Sequence, residues 1–257
     1  MTSNNVPPEI EWHINYDSQK SESDAEYIDA LIRLFSRKLG CRLDSILDVP
    51  CGNGRLHDFL RAYGYSVYGV DISKELISQA RRAHPANDLE YSTGDMRDFS
   101  LDRKFDVCLS WFTSFGYFND NDNIKVLRTA RSHLKKDGII IIDLSNGEIT
   151  TEYFKANPKP VFIRERSDEY VSIERPYIEY ENGVAYQVRN ESIYRKRGRD
   201  LLFIKMQRLS RLRLYSRGDL EGQLAKAGFK VLRTFAGYSF KEFTESDKRM
   251  VVVASKK

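Results

Sequence analysis

Residues Ser45 to Ile72, SILDVPCGNGRLHDFLRAYGYSVYGVDI, constrain the fold more than any other stretch of the chain. Ile46, Leu47 and Val49 form a short apolar run that Pro50, Gly52 and Gly54 break, so the chain must turn sharply there. Leu56, Phe59, Leu60 and Tyr63 then fall at helical spacing, Gly64 supplies a stop, and Val67, Tyr68 and Val70 resume as a strand that ends on Asp71. Strand, turn, helix and strand in this order make one right-handed βαβ unit. Glycine at such a turn lets the backbone approach a ligand closely, and the helix after it presents unpaired N–H groups. An acidic residue about 20 positions further on, at the tip of the second strand, is placed to hold a ribose diol. Asp71 fits that role.

The turn lacks the marks of two common nucleotide sites. A dinucleotide fingerprint needs a third glycine, and Arg55, Leu56 and His57 follow Gly54 instead. No lysine follows the second glycine as a P-loop requires. Asp48 followed by Gly52 and Gly54 resembles motif I of the class I S-adenosylmethionine-dependent methyltransferases, with Pro50 where that family usually has Gly or Ala.

Composition removes other classes. With 257 residues, 41% hydrophobic, 30% charged and a formal charge of +4, the chain suits a soluble globular protein with one large core or a core and a subdomain. The apolar run Gly138–Ile142 is far short of a membrane helix, and the polar N-terminus has no secretory pattern, so no membrane partner and a cytoplasmic location are expected. Cys41, Cys51 and Cys108 are widely spaced, and His13, His57, His84 and His133 have no neighbours at metal-ligand spacing, so neither disulfide nor metal is expected.

Residues 1 to about 23 read as an arm bearing Trp12, His13 and Tyr16, followed by a helix from Asp24 to Gly40. After Asp71, Ser73 caps a helix, and Leu89–Ser92 is a third strand before Gly94, Asp95 and Met96. Phe105–Ser110 is a fourth strand that runs into the aromatic stretch Trp111–Phe118. A helix from Ile124 to Leu134 and a Lys135–Gly138 turn lead to a fifth strand, Ile139–Leu144. From Asn146 to Tyr215 the βα alternation stops. Val161–Arg166, Tyr170–Ile173, Tyr177–Tyr180, Val184–Tyr194 and Leu201–Leu214 alternate apolar and charged residues, as antiparallel strands with one buried face do. A helix capped by Ser216 and two strands, Phe229–Phe235 and Arg249–Ala254, close the chain.

The expected fold is therefore α/β, a doubly wound seven-stranded Rossmann-like methyltransferase sheet with an inserted antiparallel layer. The expected division is an arm and lid helix over 1–40, a cofactor-binding domain over 41–147 and 216–257, and a substrate cover over 148–215. The Thr113–Phe118 run, TSFGYF, resembles a small-molecule branch of the family that includes sugar N,N-dimethyltransferases.

The resemblance implies S-adenosylmethionine as donor and S-adenosylhomocysteine as product. It places Tyr16, Asp48, Pro50, Cys51, Gly52, Gly54, Asp71, Ile72, Gly94, Asp95, Met96, Ser110, Trp111 and Phe112 around them, with Asp95 on the adenine amine and Met96 on its ring. Methyl transfer from a sulfonium is an in-line displacement that needs mainly alignment. A base matters only for a protonated acceptor, and Tyr16, Tyr117 and His13 are the candidates. Transfer to N or O of a small molecule is the expected activity. The alternatives are an RNA or protein methyltransferase using the basic stretch Arg189–Arg217, and a cofactor-binding regulator without turnover. Glu165, Asp168, Glu169, Glu174, Glu179 and Glu181 are placed to pair with those cations, which favours the small molecule over nucleic acid. Oligomeric state is not legible.

Overall fold

The structure, a computed structural model, describes residues 18–85 and 89–257. His13 and Tyr16 lie outside the described residues. Within these, Gly147–Leu214 form one compact unit, and the residues up to Asn146 together with Tyr215–Lys257 form the other.

The larger unit is built on seven strands: β1 Ser45–Asp48, β2 Ser66–Asp71, β3 Leu89–Thr93, β4 Phe105–Ser110, β5 Leu134–Ser145, β10 Phe229–Ala236 and β11 Arg249–Lys256. They lie in the order β3-β2-β1-β4-β5-β11-β10. The first five run parallel, and β11 is antiparallel to both β5 and β10. The seven-stranded sheet read from the sequence is thus present, including its terminal antiparallel pair. Central strands of this kind are buried on both faces, which is why β4 carries six consecutive buried residues.

Alternation sorts the strand side chains into two cores. Ile46, Val107, Leu109, Ile139, Ile141, Val251 and Val253 pack on one face with helices α1 Ser18–Leu39, α2 His57–Ala62 and α3 Lys74–Ala83. Leu47, Cys108, Ile140, Ile142, Val252 and Ala254 pack on the other with α4 Asp120–Ser132 and α6 Arg217–Lys226. The caps are local: Ser73, Asn119 and Ser216 each accept a backbone N–H from the first turn of the helix they precede.

Two expectations need correction here. The helix expected from Asp24 begins at Ser18. Lys135–Gly138, expected as a turn, is part of β5. The pairing jumps from Phe105↔Leu134 to Val107↔Ile139, so the turn-forming residues are absorbed as an irregularity within the strand.

The smaller unit begins with a helix, α5 Gly147–Ala156, in a stretch with no helical expectation. Four antiparallel strands follow: β6 Phe162–Glu165, β7 Tyr170–Glu181, β8 Val184–Arg197 and β9 Asp200–Arg213. Tyr170–Ile173 and Tyr177–Tyr180, expected as separate segments, are one strand that runs through Pro176. Pro176 lies past Glu174, the last residue paired to β6, so it stands where β7 has a neighbour on one side only.

Glu174 and Glu191 face each other across β7 and β8, both buried. Two opposed carboxylates are tolerated because each has its own guanidinium, Arg189 at 2.5 Å for Glu174 and Arg166 for Glu191. Arg195 with Glu169, Lys196 with Glu165, and Arg211 with Glu179 and Glu181 complete the cross-strand pairs. Four of the ten basic residues from Arg189 to Arg217 are thus paired with carboxylates that precede them in the chain.

Candidate functional site

Strand order reverses between β1 and β4, and the crevice beyond their carboxyl ends is where an open α/β sheet collects ligands. The turn after β1 and the turn after β4 meet there around a cleft of about 150 Å³. Asp48, Pro50, Cys51, Gly52, Asn53, Arg55 and Leu56 line it from one side, and Trp111, Phe112 and Ser114 from the other.

The glycine turn is tied to the neighbouring strand. Asp71 Oδ2 accepts the Gly52 N–H at 2.9 Å, and its Oδ1 accepts the Ser73 N–H at 2.8 Å. These bonds fix the carboxylate's direction and leave acceptor capacity on it. Burial nevertheless wins over those bonds and raises the Asp71 pKa above the ordinary carboxylate value. Gly52 and Gly54 sit at φ +58° and +75°, a region that costs residues with a Cβ about 1–2 kcal/mol. Among the described residues no atom outside the turn stands within 4 Å of where a Cβ on Gly52 would lie, so they leave this part of the turn open.

A buried polar chain supports the turn from below. His57 Nε2 lies 3.0 Å from Asp48 Oδ2, and His57 Nδ1 lies 2.9 Å from the Tyr91 hydroxyl. Because a carboxylate only accepts, Nε2 donates to Asp48 and Nδ1 accepts from Tyr91. Burial pushes the Cys51 thiol well above its usual pKa, so it is no ready nucleophile.

The β4 turn is held in a costly conformation. Phe112 and Thr113 have φ of +60° and +59°, in succession and without glycine. Asp143, at the end of β5, accepts both of their N–H groups: Phe112 N–H on Oδ2 at 2.8 Å and Thr113 N–H on its backbone carbonyl at 2.9 Å. Arg249 of β11 donates to both Asp143 oxygens, at 2.6 and 2.5 Å, and to Thr113 Oγ1 at 3.2 Å. The Tyr238 hydroxyl donates to Asp143 Oδ2 at 3.1 Å, and the Tyr238 ring stacks on Trp111 with centroids 5.2 Å apart.

Helix α1 supplies a further side. Arg55 pairs with Asp24 at 2.7 Å, and its guanidinium lies 5.3 Å from the Phe112 ring centroid. Two buried polar atoms nearby, Trp111 Nε1 and Asp24 Oδ1, have no hydrogen-bond partner among the described residues.

Comparison with known proteins matches this frame. Residues 46–138 match the family model described as a methyltransferase domain. The chain carries a class I S-adenosylmethionine-dependent methyltransferase domain.

The dTDP-3-amino-3,6-dideoxy-alpha-D-glucopyranose N,N-dimethyltransferase of Streptomyces fradiae is 27% identical over 210 residues, which cover 81% of this chain and 77% of that one. The dTDP-3-amino-3,4,6-trideoxy-alpha-D-glucopyranose N,N-dimethyltransferase of Streptomyces venezuelae is 34% identical over 101 residues, 38% of this chain and 41% of that one. The fold is shared with the solved structure of an S-adenosylmethionine-dependent methyltransferase from Clostridium acetobutylicum, with a TM-score of 0.72, 21% identity and coverage of 94% of this chain and 93% of that one.

Six of the fourteen residues expected around the donor line the methyltransferase cleft. Asp48, Pro50, Cys51, Gly52, Trp111 and Phe112 line it directly. Gly54 and Asp71 fix the shape of its turn, Gly54 hydrogen bonding to the Cys51 carbonyl at 3.1 Å. Ile72 beside Asp71 is 66% exposed, an apolar surface next to a buried carboxylate. Ser110 is buried at the end of β4.

The β3 loop residues Asp95, Met96 and Gly94 all have contacts within the chain. Asp95 is held by its own neighbour, accepting from the Arg97 backbone N–H at 2.9 Å and from the Arg97 guanidinium at 2.6 Å. Those bonds lower its pKa. Met96 packs toward the α4 core, and Gly94 donates to the Asp71 carbonyl at 2.9 Å. Tyr117 is 39% exposed and does not line the cleft.

Asp24, Arg55, His57, Tyr91, Asp143, Tyr238 and Arg249 were not read as site residues from the sequence. Arg249 and Asp143 are brought together only by the β5–β11 pairing, which places Asp143 opposite Val251. No spacing in the chain announces that pair. Asp143, at the polar end of the Ile139–Ile142 run, is the one of them that carried a local signal.

Proposed function

We propose that the protein transfers a methyl group from S-adenosylmethionine to the amine nitrogen of a small molecule. The observation that carries this reading is the convergence of the glycine turn, tied to Asp71, with the Trp111–Phe112 turn around one cleft at the reversal of strand order. Bound there, S-adenosylmethionine supplies an electrophilic methyl on a sulfonium sulfur. The residues present suit it: Asp71 retains acceptor capacity for a diol, Gly52 leaves room over the turn, and Trp111 Nε1 and Asp24 Oδ1 await partners.

The chain's own work is alignment and exclusion of water, which in well-oriented systems accounts for about 7–11 kcal/mol of a barrier. An amine must reach the methyl as its free base. Tyr16, Tyr117 and His13 are the residues to which proton removal is assigned in this reading. The 148–215 segment is assigned to acceptor selection, and the arm and first helix over 1–40 to closing the site. A cytoplasmic location belongs to the same proposal.

The choice of nitrogen rests on the relatives, which are named as amino-sugar N,N-dimethyltransferases. The cross-strand ion pairs of β6–β9 speak against a phosphate-binding sheet. Methyl-tritiated S-adenosylmethionine is to be incubated with amino sugars, their dTDP conjugates and the corresponding hydroxyl sugars. Label in the amino compounds alone is the expected result, and label only in the hydroxyl set contradicts it.

A further inference from the structure

We propose that Asp143 and Arg249 are positioning residues that set the aromatic wall of the cleft by holding the Phe112–Thr113 turn in its left-handed form. The inference rests on the reading of this cleft as the donor site and adds residues from the opposite end of the sheet to it.

Phe112 and Thr113 are the wrong residue types for their backbone. A β-branched residue at positive φ is an outlier, and a phenylalanine beside it in the same region doubles the departure. Such conformations persist only where the surroundings over-determine them. Here the over-determination comes from Asp143, whose side chain and backbone carbonyl take the two successive N–H groups of the turn. Arg249 closes the device: its forked guanidinium fixes both Asp143 oxygens and reaches the Thr113 hydroxyl.

The result of the clamp is the placement of aromatic rings. Phe112 and Trp111 line the cleft, and Tyr238, which also donates to Asp143, packs flat against Trp111. The Arg249 guanidinium stands 5.5 Å from the Phe112 centroid. None of the clamp residues lines the cleft, so they act through the rings they hold.

The test uses the full chain in a Trp12→Phe background, which leaves Trp111 as the sole tryptophan. S-adenosylhomocysteine is titrated by calorimetry into the parent, Asp143→Asn, and Asp143→Asn with Thr113→Gly, and Trp111 exposure is read by acrylamide quenching. Asp143→Asn is expected to weaken binding by about tenfold or more, as the strained turn relaxes. It is also expected to raise quenching of Trp111. Thr113→Gly is expected to restore most of the affinity in that variant, because glycine adopts positive φ without steric cost. A purely structural defect elsewhere would not respond to that glycine.

Parent-like affinity in Asp143→Asn, or a loss that Thr113→Gly does not recover, overturns the proposal. If Asp143→Asn does not fold, Arg249→Lys keeps the charge beside Asp143 while dropping the fork, and the same weakening and the same glycine recovery are required of it. If the parent itself gives no heat with S-adenosylhomocysteine, the donor-site reading fails. The quenching series still decides the clamp, and Trp111 as shielded in the variants as in the parent overturns it.

Discussion

His57 Nε2 lies 3.0 Å from Asp48 Oδ2, and Tyr91 closes the same chain from the far side of the imidazole at 2.9 Å. The acidic residue at the mouth of the glycine turn is therefore aimed from beneath by a fully buried ring. Tyr91→Phe keeps the ring stacking, with centroids 5.1 Å apart, and removes only the hydroxyl. It leaves His57 Nδ1 buried without a donor, at a cost of about 1–3 kcal/mol. Urea unfolding of the two proteins measures that difference.

The two turn glycines differ in what surrounds them, and substitutions should separate them. Gly52→Ala meets no atom within 4 Å among the described residues and pays for positive φ, about 1–2 kcal/mol. Gly54→Ala pays the same and drives its Cβ to 2.8 Å from the Tyr91 hydroxyl, which the His57 chain holds in place. Gly54→Ala is expected to lower the denaturation midpoint further than Gly52→Ala. Gly52→Ala is expected to lose donor affinity out of proportion to its stability loss, because its Cβ occupies the open part of the turn.

Donor affinity should depend on pH through Asp71. Burial raises its pKa in the free protein, whereas a bound diol favours the carboxylate. Affinity for S-adenosylhomocysteine is therefore full at neutral pH and falls on acidification, with a midpoint above the ordinary aspartate value of about 3.9. The stability contribution has the opposite sign: a raised folded pKa favours the folded state below the unfolded pKa, and that gain is lost as pH rises through the folded pKa. Calorimetric titrations across the acid range, compared with Asp71→Asn, check the binding limb, since the asparagine variant should lack it.

In the antiparallel unit, Glu191 is buried against Arg166 and accepts from Gln207 at 3.1 Å. These partners outweigh burial and lower its pKa. Glu191→Ala removes the carboxylate paired with the Arg166 guanidinium and is expected to cost about 3–5 kcal/mol, read by thermal or urea unfolding. The stability that the ionised carboxylate provides is present above the unfolded pKa and is lost as pH falls through the lowered folded pKa. Because Arg189, Arg195, Lys196 and Arg211 are paired in this way, binding to mixed RNA is expected to be weak at physiological salt.

Much of the frame was legible in the chain because it is written in short-range patterns. Ser45–Ile72 carries a period change from strand to helix and back with glycine at the break, and Phe105–Ser110 and Ile139–Leu144 are short apolar runs of the length that strands buried on both faces use. The errors fall where tertiary pairing overrides a local signal. Lys135–Gly138 has turn chemistry yet is drawn into β5, and Pro176 lies inside β7 because that strand is paired on one side only there. Helix α5 escaped because Gly147–Ala156 mixes threonines and aromatics without a clear apolar stripe. At the site, the glycine turn and Asp71 were visible as spacing. The clamp was not, since Asp143 and Arg249 lie far apart in sequence and meet only through strand order.

The central claim is that Gly52, Gly54 and Asp71 together hold the adenosyl donor at the carboxyl ends of β1 and β2. Isothermal calorimetry of S-adenosylhomocysteine against the full chain and against Asp71→Ala tests it most directly. One-to-one binding by the parent, weakened by about tenfold or more in Asp71→Ala, is the expected result, since the variant loses charge-assisted bonds to the diol. No heat with the parent, or equal affinity in the two proteins, would contradict it.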